Sequence, residues 1–129
     1  MQIAVSGTHF IGKSTLIEDF VEKHSNYSYE MEPYYQLQNQ GIEEFSEELT
    51  LECALRQLDY SIELLNSKKK LDNIIFDRCP IDFIAYAMYI ADRRQINLTD
   101  TVFSERFPEI KASLIEFNCF CTDYKRASY

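Results

Sequence analysis

The chain has few of the residues that interrupt folded structure, with three glycines and three prolines in 129 residues. It contains no internal repeat, no low-complexity tract and no linker rich in Pro, Gly or Ser. No apolar run approaches the roughly 20 residues that a membrane-spanning helix needs. Hydrophobic residues make up 46% of the chain, which excludes a disordered chain and predicts one globular domain over residues 1–129.

Positive charge is also scarce, because 13 Lys and Arg residues stand against 21 Asp and Glu residues and give a net charge of −8. Nucleic acids and anionic membrane surfaces attract basic proteins, so we expect neither as a partner. A nucleotide can still bind where a few cations lie together. The composition leaves the oligomeric state open and is compatible with a homodimer.

The four cysteines form no C-x-x-C pair, and no Cys or His pair has zinc-like spacing. We therefore expect free, buried thiols at Cys53, Cys79, Cys119 and Cys121. Strand-like residues begin at Gln2, so we expect no signal peptide and a reducing, cytoplasmic location.

One stretch of the chain fits G-x-x-x-x-G-K-[ST], the phosphate-binding P-loop: Gly7-Thr8-His9-Phe10-Ile11-Gly12-Lys13-Ser14-Thr15. Apolar residues before it predict a strand over 2–6, and apolar residues at helical spacing after it predict a helix that ends at Lys23. A strand, a loop bounded by glycines and a helix N-terminus together direct backbone N–H groups at a phosphate. We expect residues 7–15 to hold a nucleotide.

The residues of this loop have different expected roles. Gly7 permits the tight turn, and Gly12 lets the backbone approach the phosphates closely. Lys13 supplies a positive charge for the β- and γ-phosphates, and the Ser14 hydroxyl is placed to hold Mg²⁺. His9 is interpreted as loop filler rather than a catalytic group.

The rest of the chain alternates between strand and helix patterns. Strands are predicted over 27–31, 74–76 and 118–122, and helices over 43–67, from Pro80 to about Arg94, and over 105–117. A loop is predicted over 34–42 and irregular structure over 95–104. Three helix faces are expected to be buried: Leu51, Leu55, Leu58, Ile62 and Leu65; Ile81, Ile84, Ala85 and Met88; and Phe107, Ile110, Leu114 and Phe117. This alternation predicts an α/β fold whose parallel sheet binds ligands at the carboxyl ends of its strands.

Two acids and an arginine follow predicted strands. Asp77 stands where a Walker B acid would hold Mg²⁺ or accept a proton, and the alternative is a cap of the next helix. It is expected to be dispensable for folding. Arg78 could clamp a substrate or the γ-phosphate, or form a surface ion pair. Glu32 could orient or deprotonate a substrate hydroxyl, or be a solvated acid at the strand end. We expect Arg56 and Gln57 to face solvent rather than to reach a bound substrate.

Three motifs resemble, in their order, the P-loop nucleoside and nucleotide kinase group: GTHFIGKST at 7–15, EP at 32–33 and FDRCPIDF at 76–83. The chain looks most like AAA-type ATP-binding proteins that resemble the kinase domain of nicotinamide riboside kinases, and is more distantly similar to deoxynucleoside and thymidylate kinases. The resemblance covers roughly residues 1–123. It implies a three-layer P-loop NTPase fold, ATP with Mg²⁺, and transfer of the γ-phosphoryl group to a small hydroxyl or phosphate acceptor.

The resemblance also implies roles for single residues. It assigns phosphate binding to residues 12–15, Mg²⁺ or base duty to Asp77, phosphate or acceptor contact to Arg78, and acceptor contact to Glu32. Kinases of this group continue into an Arg-bearing lid and a last strand, which this chain is expected to lack, although Lys125 and Arg126 could begin a lid.

Two functions of different class remain after this comparison: a small-molecule kinase, and an ATP-binding regulatory module or ATPase without transfer activity. A GTPase is disfavoured because the chain has no N-K-x-D motif and no D-x-x-G after the third strand. An AAA+ motor is disfavoured because the chain is short and acidic.

Overall fold

A computed structural model describes residues 1–8, 11–41, 50–98, 100–115 and 118–121. Within these ranges the chain alternates between strands and helices: β1 (Gln2–Ser6), α1 (Lys13–Lys23), β2 (Ser28–Glu30), α2 (Pro33–Asn39), α3 (Leu51–Lys68), β3 (Ile74–Asp77), α4 (Pro80–Arg93), α5 (Asp100–Ser104), α6 (Phe107–Leu114) and β4 (Asn118–Cys121). None of the described helices is both long enough and apolar enough to cross a membrane.

The four strands form one parallel sheet in the order β2-β3-β1-β4. In the register of β1 and β3, Ala4 lies opposite Phe76 and Val5 lies opposite Asp77. The loop after β1 and the residues after β3 therefore leave the sheet side by side. The α/β class and the parallel sheet that the sequence predicted are confirmed.

Alternation of side chains along the strands divides the core between the two faces of the sheet. On one face, Ile3, Val5 and Ile75 pack against Ile17 of α1. On the other face, Ala4, Ile74 and Phe76 pack against Leu65 of α3. Helix α4 lies against α3 on this second side, where its Phe83 packs with Leu58, Ile62 and Ile110, the last of them from α6.

Two helix predictions need correction. The predicted loop over 34–42 contains α2, which Pro33 can begin because its fixed φ suits the first helical position and its missing N–H is not needed there. The helix predicted over 43–67 begins in the described residues at Leu51, where the Thr50 side chain accepts a hydrogen bond from the Cys53 N–H at 3.1 Å. Residues 42–49 lie outside the described part of the chain.

The buried face of α4 was predicted wrongly. Ile81, Ala85 and Met88 are exposed, the last with 57% of its surface accessible, and Phe83, Ala87, Ile90 and Ala91 are buried instead. The prediction failed because this helix is apolar on most sides, so its periodicity does not select one face.

The predictions for the C-terminal part are correct only in outline. In α6, Ile110 is buried and Leu114 is partly buried, but Phe107 is exposed, and Phe117 lies outside the described residues. The stretch predicted as irregular over 95–104 contains the short helix α5. The stripe predicted for α3 is confirmed, with Leu58, Ile62 and Leu65 buried.

Candidate functional site

The candidate site lies at the carboxyl ends of β1 and β3, where the P-loop enters α1. Gly12 precedes the first residue of α1 and has φ 81°, a left-handed conformation that side chains other than glycine rarely adopt. A Cβ at this position would meet no atom of the described residues within 4 Å. The first N–H groups of α1 have no partner within the helix, and a phosphate can approach them here. His9 and Phe10 of the motif lie outside the described residues.

A buried ion pair joins the P-loop to β3. The Lys13 ammonium donates a hydrogen bond to Oδ1 of Asp77, and the two side chains are 6% and 2% exposed. Asp77 can reach Lys13 because β1 and β3 are neighbours in the sheet. Burial removes both charges from water, so each charge depends on the other for its stabilisation.

Two hydroxyl groups contact the other oxygen of the same carboxylate. Ser14 Oγ donates to Asp77 Oδ2 at 3.3 Å, and the Tyr29 hydroxyl from β2 donates to the same oxygen at 3.2 Å. Burial, and next the negative charge of Asp77, raise the pKa of Tyr29 above its ordinary value, so the phenol stays protonated and donates. Asp77 therefore bonds to the P-loop and to β2 and does not cap α4.

A second buried ion pair lies beside the first. Arg78 Nε donates to Glu32 Oε1 at 2.6 Å, and its NH1 group donates to the Gly7 carbonyl at 2.6 Å. The same NH1 group lies 3.6 Å from Oδ1 of Asp82 in α4. Arg78 thus ties the start of the P-loop to the residue that precedes α2 and to the first turn of α4.

Arg78 is held in an unusual backbone conformation. Its φ is 77°, and for a residue other than glycine this costs on the order of 1–3 kcal/mol, which its surroundings must offset. The side chain is 2% exposed and its guanidinium lies 5.2 Å from the centre of the Tyr86 ring. Burial alone lowers the pKa of Arg78, but Glu32 foremost, together with Tyr86 and Asp82, outweighs burial and leaves the pKa above its ordinary value.

The first turn of α4 is stabilised by Asp82. Its Oδ2 accepts a hydrogen bond from the Cys79 N–H at 2.9 Å and another from the Ser6 hydroxyl at 2.6 Å. The sequence allowed Asp77 as the cap of α4. The cap is supplied instead by Asp82, three residues after Cys79.

The structure brings together most of the residues that the sequence singled out. Lys13, Ser14 and Asp77 are in direct contact, and Glu32 is paired with Arg78 next to them. Neither Arg78 nor Glu32 is the solvated surface group of the alternative interpretations, since Glu32 is 7% exposed.

Arg56 and Gln57 on α3 differ from each other in their surroundings. Arg56 is exposed and pairs with Glu52 at 3.2 Å, as the solvent-facing interpretation predicted. Gln57 is buried, and its amide donates to the Cys53 sulphur at 3.3 Å, so its predicted exposure is wrong. Cys53 and Cys79 are buried, as predicted, and neither is in a disulfide. Cys119 and Cys121 lie in β4.

Sequence reasoning missed Tyr29, Asp82 and Ser6 as members of this cluster. Asp82 stands three residues after Cys79 at a helix start, which is the spacing of a capping acid and could have identified it. Tyr29 carries no comparable signal, because its contact with Asp77 depends on which strands are neighbours.

The oxygen donors at the P-loop suit a magnesium ion that is also held by a nucleotide. Mg²⁺ is usually bound by one or two carboxylates together with substrate phosphates and water. The hydroxyl of Ser14 and the carboxylate of Asp77 are such donors, 3.3 Å apart. The described residues contain no group of three or more His, Cys, Asp or Glu side chains that could hold a metal without the nucleotide.

The comparison with known families agrees with this geometry. The sequence profile of a family described as an AAA domain matches residues 2–112. Because this range is most of the chain, the chain belongs to the AAA-domain family of P-loop proteins, which bind or hydrolyse nucleotides and generally bind ATP with Mg²⁺. No curated protein and no solved structure gave a significant match.

Proposed function

We propose that this protein is an ATP- and Mg²⁺-dependent small-molecule kinase that transfers the γ-phosphoryl group to a nucleoside- or nucleotide-like acceptor. The observation that carries the proposal is Glu32, whose side chain is 9% exposed beside the P-loop, in addition to the acid Asp77 that a magnesium site would use. Simple binding of ATP does not require this second acid, whereas phosphoryl transfer uses a group that orients the attacking oxygen or accepts its proton. The order of the three kinase-like motifs supports the same conclusion.

Each residue of the cluster has a separate role in this proposal. Lys13 would leave Asp77 and bind the β- and γ-phosphates, while Ser14 and Asp77 would hold Mg²⁺. When bound, Mg²⁺ neutralises charge on the transferred phosphoryl group. Residues 12–15 would supply backbone N–H groups to the phosphates.

The acceptor side of the site belongs to Glu32 and Arg78. Glu32 would accept the proton of the acceptor hydroxyl while the hydroxyl oxygen of the acceptor forms a bond to the γ-phosphorus. The bond between the γ-phosphorus and the β–γ bridging oxygen would break at the same time, and ADP would leave with the electron pair. Arg78 would hold Glu32 in place, since its guanidinium is fixed by the Gly7 carbonyl and by Asp82. It acts in this proposal as a positioning residue.

Phosphoryl transfer from ATP to a panel of nucleosides and nucleoside monophosphates, followed by mass spectrometry of the products, tests the proposal. Glu32→Gln is expected to lower the rate by about 10²–10⁴-fold while ATP still binds. Glu30→Gln is the matched control, because Glu30 pairs with Lys68 at 2.9 Å on α3 and not with the site. If the protein binds ATP but phosphorylates no acceptor, the proposal fails in favour of an ATP-binding module or ATPase.

A further inference from the structure

We propose that Tyr29 is a positioning residue for the magnesium site, whose hydroxyl fixes the orientation of the Asp77 carboxylate. This inference rests on the proposed binding of Mg²⁺ and ATP at the P-loop. Its basis is the hydrogen bond of 3.2 Å from the Tyr29 hydroxyl to Oδ2 of Asp77.

The sheet register brings these two side chains together. Tyr29 of β2 lies opposite Ile75 of the neighbouring strand β3, and Asp77 follows Ile75 by two residues on the same face of the sheet. Side chains in a strand stand on the sheet and lean along it, and the long phenol of Tyr29 covers the distance to the end of β3.

The ring of Tyr29 is firmly placed. It packs against the core cluster of Ile3, Val5, Ile17 and Ile75 between the sheet and α1. The strand holds the backbone of Tyr29 and the core cluster holds its ring, so the hydroxyl has little freedom to move. It can therefore hold a carboxylate in one orientation.

Among the described residues, the side chains of Lys13, Ser14 and Tyr29 bond to the Asp77 carboxylate, and of these Tyr29 alone has no other task in the proposed reaction. Lys13 would turn to the phosphates, and Ser14 would share the metal with Asp77. Once Lys13 has left Oδ1, the carboxylate would be free to rotate unless Oδ2 were still held. Groups that hold a metal ligand from behind are worth about 10–100-fold in metal affinity.

Calorimetric titration with ATP, first in EDTA and then over a series of Mg²⁺ concentrations, tests the role of Tyr29. Tyr29→Phe removes the hydroxyl and keeps the ring. We expect it to lower the Mg²⁺ affinity of the ATP complex by about 10–100-fold, with unchanged ATP affinity in EDTA and a nearly unchanged unfolding temperature. Tyr27→Phe is the matched control, because Tyr27 packs in the same cluster and, within the described part of the chain, Tyr29 and not Tyr27 bonds to Asp77.

A double-mutant cycle separates orientation from packing. In the background of Asp77→Asn, adding Tyr29→Phe is expected to cause no further loss of Mg²⁺ affinity, because the carboxylate that Tyr29 orients is already absent. Equal Mg²⁺ affinity in the wild type and Tyr29→Phe overturns the inference and leaves the kinase proposal intact. A loss of ATP affinity that is the same with and without Mg²⁺ would show a structural role and also overturns it. If the wild type binds no ATP, the proposed function fails and this inference fails with it.

Discussion

The buried pair of Lys13 and Asp77 makes a prediction about stability that the sequence alone did not make. A carboxylate at a sheet edge was expected to be dispensable for folding, but Asp77 is 2% exposed and bonded to a buried ammonium. Removing one partner of a buried pair costs about 3–5 kcal/mol, because the other charge is left without compensation. Asp77→Asn keeps an oxygen that can accept from Ser14 and Tyr29, so we expect the lower end of this range.

This loss of stability is large enough to measure. For a chain of 129 residues, a change of about 3 kcal/mol corresponds to a fall in Tm of about 10 °C, since the unfolding entropy is about 2.1 cal/mol/K per residue. Thermal unfolding followed by circular dichroism, with urea unfolding for the free energy, would measure it in nucleotide-free protein. Asp59→Asn is the matched control, because Asp59 is 53% exposed and pairs with Arg106 at 2.6 Å. Such an exposed pair contributes at most about 1 kcal/mol.

A double variant checks the cause of the loss. Lys13→Met with Asp77→Asn leaves neither buried charge, so part of the stability lost in Asp77→Asn should return. The reasoning is refuted if Asp77→Asn loses no more stability than Asp59→Asn, or if the double variant is less stable than Asp77→Asn.

Three further predictions concern other parts of the fold. Arg78→Lys keeps the charge but cannot bond to Glu32 and the Gly7 carbonyl together, so calorimetry should show weaker ATP binding, and equal affinity would contradict the anchoring role. Thr50→Ala removes the cap of α3 and should lower the unfolding free energy in urea by about 1 kcal/mol; no change would mean that the cap is not needed. Cys53 and Cys79 are buried, and burial raises the pKa of the Cys53 thiol. We therefore expect the native protein to react slowly with iodoacetamide and the unfolded protein to react fast. Mass spectrometry that finds a disulfide, or rapid labelling of the native protein, would contradict this.

Local patterns were sufficient to predict the strands and the P-loop. The run from Gln2 to Ser6, the glycine-bounded loop and the strand that ends at Asp77 are each read from a few adjacent residues. The short helix α2 was not predicted because, in its seven residues, it buries only Pro33 and Leu37 and has too short a pattern to show a period. The orientation of α4 could not be predicted, since apolar residues occur on both its buried and its exposed sides.

The members of the site were easier to predict than their contacts. Lys13, Ser14, Asp77 and Glu32 were identified because their residue types stand in a motif or at a strand end. Their pairing depends on β3 lying between β1 and β2, which no pattern within one segment specifies. For the same reason the contact of Tyr29 with Asp77 and the bond of Arg78 to the Gly7 carbonyl became visible only in the folded chain.

We infer that the P-loop binds the triphosphate of ATP through Lys13. Calorimetric titration of Mg²⁺-ATP into the wild type, Lys13→Ala and the control Lys23→Ala tests it most directly, because Lys23 is an exposed lysine at the far end of the same helix. A charge-assisted phosphate contact contributes about 1.5–3 kcal/mol, so Lys13→Ala should weaken binding at least about tenfold while Lys23→Ala binds as the wild type does. Equal affinity of the wild type and folded Lys13→Ala for ATP would contradict the account.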